Sequence, residues 1–215
     1  MHLENFIDHT LLKPTATEKD IEQLCTEALN YNFYGVCING CHISLAKDLL
    51  KDSKVRLVSV VGFPLGSLST RAKVYEAMDY MEHGANELDM VLNIGWLRSG
   101  DYLAVQEEIR QVKEVVGKKV LKVILETCYL TDEEIITECK LAVNAKADFV
   151  KTSTGFGPRG ASFEDVVLMK KAVGNKIKIK ASGGIKDAVT AQKYIDLGVA
   201  RIGTSSGVAI VSNQN

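Results

Sequence analysis

Four successive strand-like segments of this chain carry all of their charges on one alternating face and apolar side chains on the other. They are Glu87-Leu88-Asp89-Met90-Val91, Leu121-Lys122-Val123-Ile124-Leu125-Glu126, Phe149-Val150-Lys151-Thr152 and Ile177-Lys178-Ile179-Lys180. Side chains alternate along a strand with period two, so Glu87 and Asp89 share a face, as do Lys122 and Glu126, and Lys178 and Lys180. Helix-like segments separate these strands, which predicts a parallel sheet whose apolar face lies under helices. The charged face must then look elsewhere, and in a sheet closed on itself that place is the barrel interior. The expected inward groups are Glu87, Asp89 and Glu126 against Lys122, Lys151, Lys178 and Lys180, which leaves one amine unmatched. A confined amine beside another cation is driven to release its proton, and a neutral lysine is a nucleophile.

The same alternation extends over the whole chain. Thr17 is a helix N-cap ahead of Ile21, Leu24, Cys25, Ala28 and Leu29, which share one stripe. Thr131 and Glu134 form a capping box, and glycines at 84, 117, 174 and 198 end helical patterns. Further strands fall at Phe6 to His9, Gly35 to Asn39, Arg56 to Val61 and Ala200 to Gly203, all but the first pair clearly joined by a helix. These eight strands predict a single-domain (β/α)₈ barrel over residues 1–215. An open doubly wound sheet is the alternative, and it would bury the charged face under helices. Active sites of such barrels lie where the strands end and the βα loops begin, the region expected for Asp89, Lys151 and Lys180. Lys122 and Lys178 come earlier and are expected to support them from within, paired with Glu87 or Glu126.

A composition 46% hydrophobic and 25% charged is that of an ordinary globular chain. The net charge of -1 argues against nonspecific nucleic-acid binding, and no apolar run is long enough to span a bilayer. The N-terminus lacks the basic and apolar regions of a signal peptide, which predicts a cytoplasmic protein. Five irregularly spaced cysteines disfavour a disulfide framework, and neither they nor the four histidines have metal-site spacing.

After the seventh strand comes Ala181-Ser182-Gly183-Gly184-Ile185, and after the eighth Gly203-Thr204-Ser205-Ser206-Gly207. Barrels commonly bind a phosphate with these two loops and a short extra helix, and glycines let backbone N–H groups approach the anion. Gly155 to Gly160 matches G-x-G-x-x-G, yet a dinucleotide site would need an acidic residue ending the next strand, where Lys180 stands instead. The glycines are therefore expected to form a flexible active-site loop, with Arg159 solvated or near the substrate.

Ile7-Asp8-His9-Thr10-Leu11-Leu12-Lys13-Pro14, Val61-Gly62-Phe63-Pro64-Leu65-Gly66, the Glu87 to Val91, Leu121 to Thr127 and Phe149 to Gly155 segments, and Lys180-Ala181-Ser182-Gly183-Gly184-Ile185 together resemble the deoxyribose-phosphate aldolase family. The resemblance runs from Asp8 to about Gly207. It implies a metal-independent, cofactor-free aldolase that reversibly cleaves 2-deoxy-D-ribose 5-phosphate to D-glyceraldehyde 3-phosphate and acetaldehyde. By motif match, Lys151 would be the Schiff-base nucleophile, with Lys180 and Asp89 transferring protons. Thr10, Cys37 and Thr154 would line the sugar site, Cys37 as a packing neighbour more than a reactant. Gly183, Gly184, Gly203, Ser205 and Ser206 would hold the phosphate. The expected partners are these small molecules, with a homodimer allowed and no nucleic acid or membrane. Two departures stand out. Phe156 occupies a place where some members have a lysine near the phosphate, and the end of the chain, Val211 to Asn215, lacks the tyrosine that closes a longer tail in others. Water is expected to take over from that tyrosine, or turnover to be slower.

Overall fold

Helix starts follow the capping residues closely. Thr17 Oγ1 accepts the Asp20 N–H while the Asp20 carboxylate accepts the Thr17 N–H at 2.8 Å, and Thr131 and Glu134 repeat the arrangement. Ser69, Asp101, Ser162 and Asp187 each cap a helix that begins one residue later. Each cap satisfies N–H groups that the helix itself leaves unpaired. The computed structural model describes residues 2–212; Asn213 to Asn215, part of the tail departure noted above, lie outside them.

The strands are β1 Ile7–Leu11, β2 Gly35–Ile38, β3 Arg56–Val61, β4 Glu87–Val91, β5 Val120–Ile124, β6 Phe149–Lys151, β7 Lys178–Ser182 and β8 Arg201–Thr204. They pair in parallel in chain order, and β8 returns to β1, so the barrel is closed and the open-sheet alternative is excluded. The helices are α1 Glu18–Asn30, α2 Ile43–Leu50, α3 Thr70–His83, α4 Ile94–Arg98, α5 Tyr102–Val116, α6 Asp132–Asn144, α7 Phe163–Val173, α8 Ala188–Asp196 and α9 Gly207–Ser212. The first strand begins one residue later than expected, because Phe6 ends a short 3₁₀ turn, and runs on to Leu11, and α1 joins the first strand pair as well. None of the helices described is long and apolar enough to cross a membrane.

A large apolar layer, including Ile21, Leu88, Met90, Val123, Ile109 and Ile202, fills the space between the sheet and its helices. Burying such side chains contributes about 1.5–3 kcal/mol each before entropy is counted. Inside the barrel the lining is divided. The β2–β3 side is apolar, with Cys37, Val58 and Val60 packed under Leu12 and Phe63. The opposite side is charged. Val60 pairs in register with Asp89 and Asp89 with Lys122, while Lys151 pairs with Lys180 and Lys180 with Arg201.

Two of the expected inward charges are elsewhere. Lys178 shares the face of Lys180 but opens β7, two residues nearer the barrel bottom, and is exposed beside the Phe149 ring. Glu126 lies past the end of β5 in a left-handed conformation (φ 53°), facing the top loops rather than Lys122. Asp8 and Arg201, not included in the expected set, point inward in their place, and both are buried.

Candidate active site

Asp89 is the hub of the interior charges. Lys122 Nζ donates to its Oδ1 at 2.7 Å, while Lys151 Nζ and Lys180 Nζ both donate to its Oδ2, at 2.9 and 2.8 Å. Lys122 also forms an ion pair with Glu87 Oε2 at 2.6 Å, and Lys180 donates to Asp8 Oδ2. Among the described residues Lys122 and Lys180 therefore each have two carboxylates, whereas Lys151 has a share of one. Cations Lys122, Lys151, Lys180 and Arg201 face carboxylates Asp8, Glu87 and Asp89, so the single surplus cation expected from the strands persists with different members.

Burial and charge oppose each other here. Burial pushes the Asp89 carboxyl up, but the combined attraction of Lys122, Lys151 and Lys180 outweighs it and holds Asp89 well below the usual carboxylate range. Asp8 is lowered in the same way, with Lys180 as its main attractor. Burial pushes Lys180 down, and Asp8 with Asp89 more than reverses this, so Lys180 is raised. Lys122 is raised against its burial chiefly by Asp89.

Above this network opens a cavity of about 380 Å³. Of the buried lysines only Lys151 lines it; Asp89 and Lys180 lie beneath. Thr10 and Thr154 contribute to its wall, and Gly183, Gly184, Gly203, Ser205 and Ser206 all line one end. Gly183 and Gly184 both have positive φ, 86° and 81°, a conformation that side chains disfavour. Lys13, which the first motif contains without a role assigned to it, and Lys186, which no motif contains, bring two cations to the same cavity. Their signal in sequence was position alone: Lys186 directly follows the double-glycine loop, and Lys13 follows Leu11 and Leu12.

Thr154 is held from below. Its hydroxyl donates to Glu126, and its backbone N–H lies 3.2 Å from Glu126 Oε1. The neighbouring Phe156 lines the cavity and sets its ring edge-on to Phe63, with centroids 5.3 Å apart. Cys37 does not line the cavity; it is fully buried, and burial pushes its thiol up, which fits a packing role rather than a reactive one. Arg159 is not at the cavity; it is exposed to solvent, one of its two expected places, with its guanidinium bound to Asp165 and the Thr127 carbonyl. Two glycines of the G-x-G-x-x-G stretch, Gly157 and Gly160, serve close packing, whereas Gly155 has open space around it and a positive φ of 88°. A Cβ on Gly160 would lie 2.1 Å from the Gly183 carbonyl oxygen, and one on Gly157 would lie 2.7 Å from Cys128 Sγ.

A carbonyl compound entering this cavity would meet the Lys151 amine, the arrangement expected of a barrel enzyme that acts at carbonyl carbon. The chain matches the DeoC/LacD family aldolases over residues 5–213 and belongs to that family. It is 52% identical over 214 residues to the deoxyribose-phosphate aldolase of Mycoplasmopsis pulmonis, a match that covers 100% of this chain and 97% of the relative. With the deoxyribose-phosphate aldolase of Carboxydothermus hydrogenoformans it shares 55% identity over 97% of this chain and 93% of the relative. Among solved structures it superposes on an aldolase designated QR15 with a TM-score of 0.94 at 43% identity, covering 98% of this chain and 94% of the other. The tetrameric deoxyribose phosphate aldolase of Aeropyrum pernix superposes with a TM-score of 0.91 at 34% identity, covering 98% and 89%. The protein is thus an enzyme, an aldehyde-lyase of this family.

Proposed function

We propose that the protein cleaves 2-deoxy-D-ribose 5-phosphate reversibly to D-glyceraldehyde 3-phosphate and acetaldehyde through a Schiff base on Lys151, without a metal ion. The observation that carries this is the position of Lys151: it is the one amine of the buried trio that lines the cavity, and the one without a carboxylate of its own. It is the amine best placed to attack the substrate aldehyde. Loss of water from the adduct leaves a positively charged iminium nitrogen. As the C3 hydroxyl loses its proton, the C2–C3 electron pair moves toward that nitrogen, releasing the three-carbon aldehyde phosphate and leaving an enamine. The enamine carbon takes up a proton, and water frees acetaldehyde from Lys151.

Asp89 and Lys180 move these protons in the proposal, working through water between the network and the substrate. Gly183, Gly184, Gly203, Ser205 and Ser206 hold the phosphate, with Lys13 and Lys186 balancing its charge. Thr10 and Thr154 hold the sugar between the phosphate and the amine, which fixes the reacting carbons relative to Lys151. A cytoplasmic setting and a homodimer belong to the same proposal, and light scattering of the purified protein counts its protomers.

The decisive experiment is borohydride reduction in the presence of acetaldehyde, followed by peptide mass mapping. A stable adduct on Lys151, absent from the Lys151→Ala variant, is expected. A turning-over enzyme that never becomes modified would overturn the proposal.

A further inference from the structure

Beneath Asp89 the interior charges continue to the barrel bottom, past anything the aldol chemistry touches. The Tyr34 hydroxyl donates to Glu87 Oε1 at 2.6 Å, and the other oxygen of Glu87 lies 2.6 Å from Lys122 Nζ. Arg201 stacks on the Tyr34 ring, its guanidinium carbon 3.0 Å from the ring centre, and its Nε has no hydrogen-bond partner among the described residues. The ring is thereby gripped between a carboxylate at its hydroxyl and a cation on its face. Glu87 is buried and cannot swing into water, so its geometry is fixed by Tyr34 on one side and Lys122 on the other.

We propose that Glu87 is a positioning residue of the active site: clamped by Tyr34, it pins Lys122 on Asp89 Oδ1, so that Asp89 Oδ2 alone is presented to Lys151 and Lys180. The inference rests on the function proposed above. Its physical basis is competition for one carboxylate. Three ammonium groups converge on Asp89, and with about two lone-pair sites on each carboxylate oxygen they can share it only by dividing between Oδ1 and Oδ2. A second anion below Lys122 gives that lysine a reason to stay low and on Oδ1. Without Glu87, Lys122 depends on Asp89 alone and competes for the oxygen shared by the other two. The groups that face this pair are Tyr34 from ahead of β2, Asp89 on β4, Lys180 on β7, Arg201 on β8 and Asp8 on β1; Lys178 lies outside at the bottom.

Glu87→Gln removes the anion while keeping the shape. The protonated lysines lose a stabilising charge, so the alkaline limb of the kcat/KM profile moves to lower pH, by about one unit for a charge at this range. Misplacement of Asp89 lowers kcat roughly tenfold to a hundredfold. KM for the sugar phosphate stays near its parental value, because the phosphate loops are at the other end of the barrel. Tyr34→Phe shifts the limb in the same direction by less, and Glu87→Asp keeps the parental limb. A folded Glu87→Gln variant whose limb coincides with the parent's overturns the proposal, as does a rise in KM with kcat unchanged. If Glu87→Gln does not fold, Tyr34→Phe decides on the same criterion. Borohydride trapping separates the two levels. A parent protein not trapped on Lys151 removes the underlying mechanism, whereas trapping with an unmoved limb removes only the role of Glu87.

Discussion

Lys151 and Lys180 come from neighbouring strands, in register, and donate to the same oxygen of Asp89, at 2.9 and 2.8 Å. Their nitrogens can be no further apart than those two hydrogen bonds laid end to end, so the charge of one is always felt by the other. In Lys180→Leu, Asp8 and Asp89 lose a cation and hold the remaining ammonium groups more firmly. The residual activity should fall by about 10² or more, and its pH–rate profile should move to higher pH. Steady-state rates across pH measure both effects, and an unchanged profile would contradict this coupling.

Asp89→Asn removes the hub and leaves three buried ammonium groups short of an anion. Breaking a buried ion pair in this way costs about 3–5 kcal/mol, read by urea unfolding at neutral pH. The sign of the pH dependence follows from the lowered carboxyl. Because its folded value lies below the ordinary one, near ~3.9, its stabilisation is complete above that pH and is lost as pH falls toward the folded value. The stability gap between parent and Asp89→Asn should therefore be flat near neutrality and narrow in acid. Lys180 acts at the other end: being raised, its contribution is complete below about pH 10 and fades as pH rises further.

Lys13 and Lys186 are exposed cations on the cavity wall, and their task in the proposal is the phosphate. Lys186→Ala should raise KM for 2-deoxyribose 5-phosphate by about tenfold, with Lys13→Ala similar or smaller. Neither should change KM for unphosphorylated 2-deoxyribose. High salt, which screens exposed charges, should shrink the difference between parent and variant.

Gly160→Ala tests the contact between the β6 and β7 loops. The new methyl would lie 2.1 Å from the Gly183 oxygen and 2.8 Å from its Cα, both backbone atoms that cannot rotate aside. The loops must part, weakening the bonds from the Ala161 N–H to the Ser182 and Gly183 carbonyls. An overpacking cost of about 1–3 kcal/mol is expected in thermal unfolding, together with a higher KM for the sugar phosphate as Gly183 shifts.

Glu138 on α6 is fully buried, and neither carboxylate oxygen has a hydrogen-bond partner among the described residues. Burial, reinforced by Glu108, pushes its carboxyl well above the usual range. Such a group binds its proton in the folded state and releases it on unfolding, so it costs stability increasingly as pH rises from about 4.3 toward its folded value. Glu138→Gln should be more stable than the parent at pH 8 by at least about 1 kcal/mol, with little difference at pH 4. Equal stabilities at both pH values would rule this out.

The amino-acid order alone determined that the sheet closes around charge. Alternating Glu87, Asp89, Lys122, Lys151 and Lys180 between apolar neighbours has a low-cost solution only when the apolar face meets helices and the charged face meets itself. Capping residues such as Thr17 and Thr131, and the glycines after the seventh and eighth strands, marked helix starts and loops because their chemistry is local. Period two, however, decides a side chain's face and leaves its height along the barrel open. Lys178 follows the same alternation as Lys180 and yet ends in water below the barrel, while Glu126 continues that of Lys122 and emerges above it. Partner choice was decided by closure as well: Asp8 reaches Lys180 across 172 residues of chain because β8 returns to β1. Strand tilt and register set these heights and pairings, and both are properties of the closed ring rather than of any single strand.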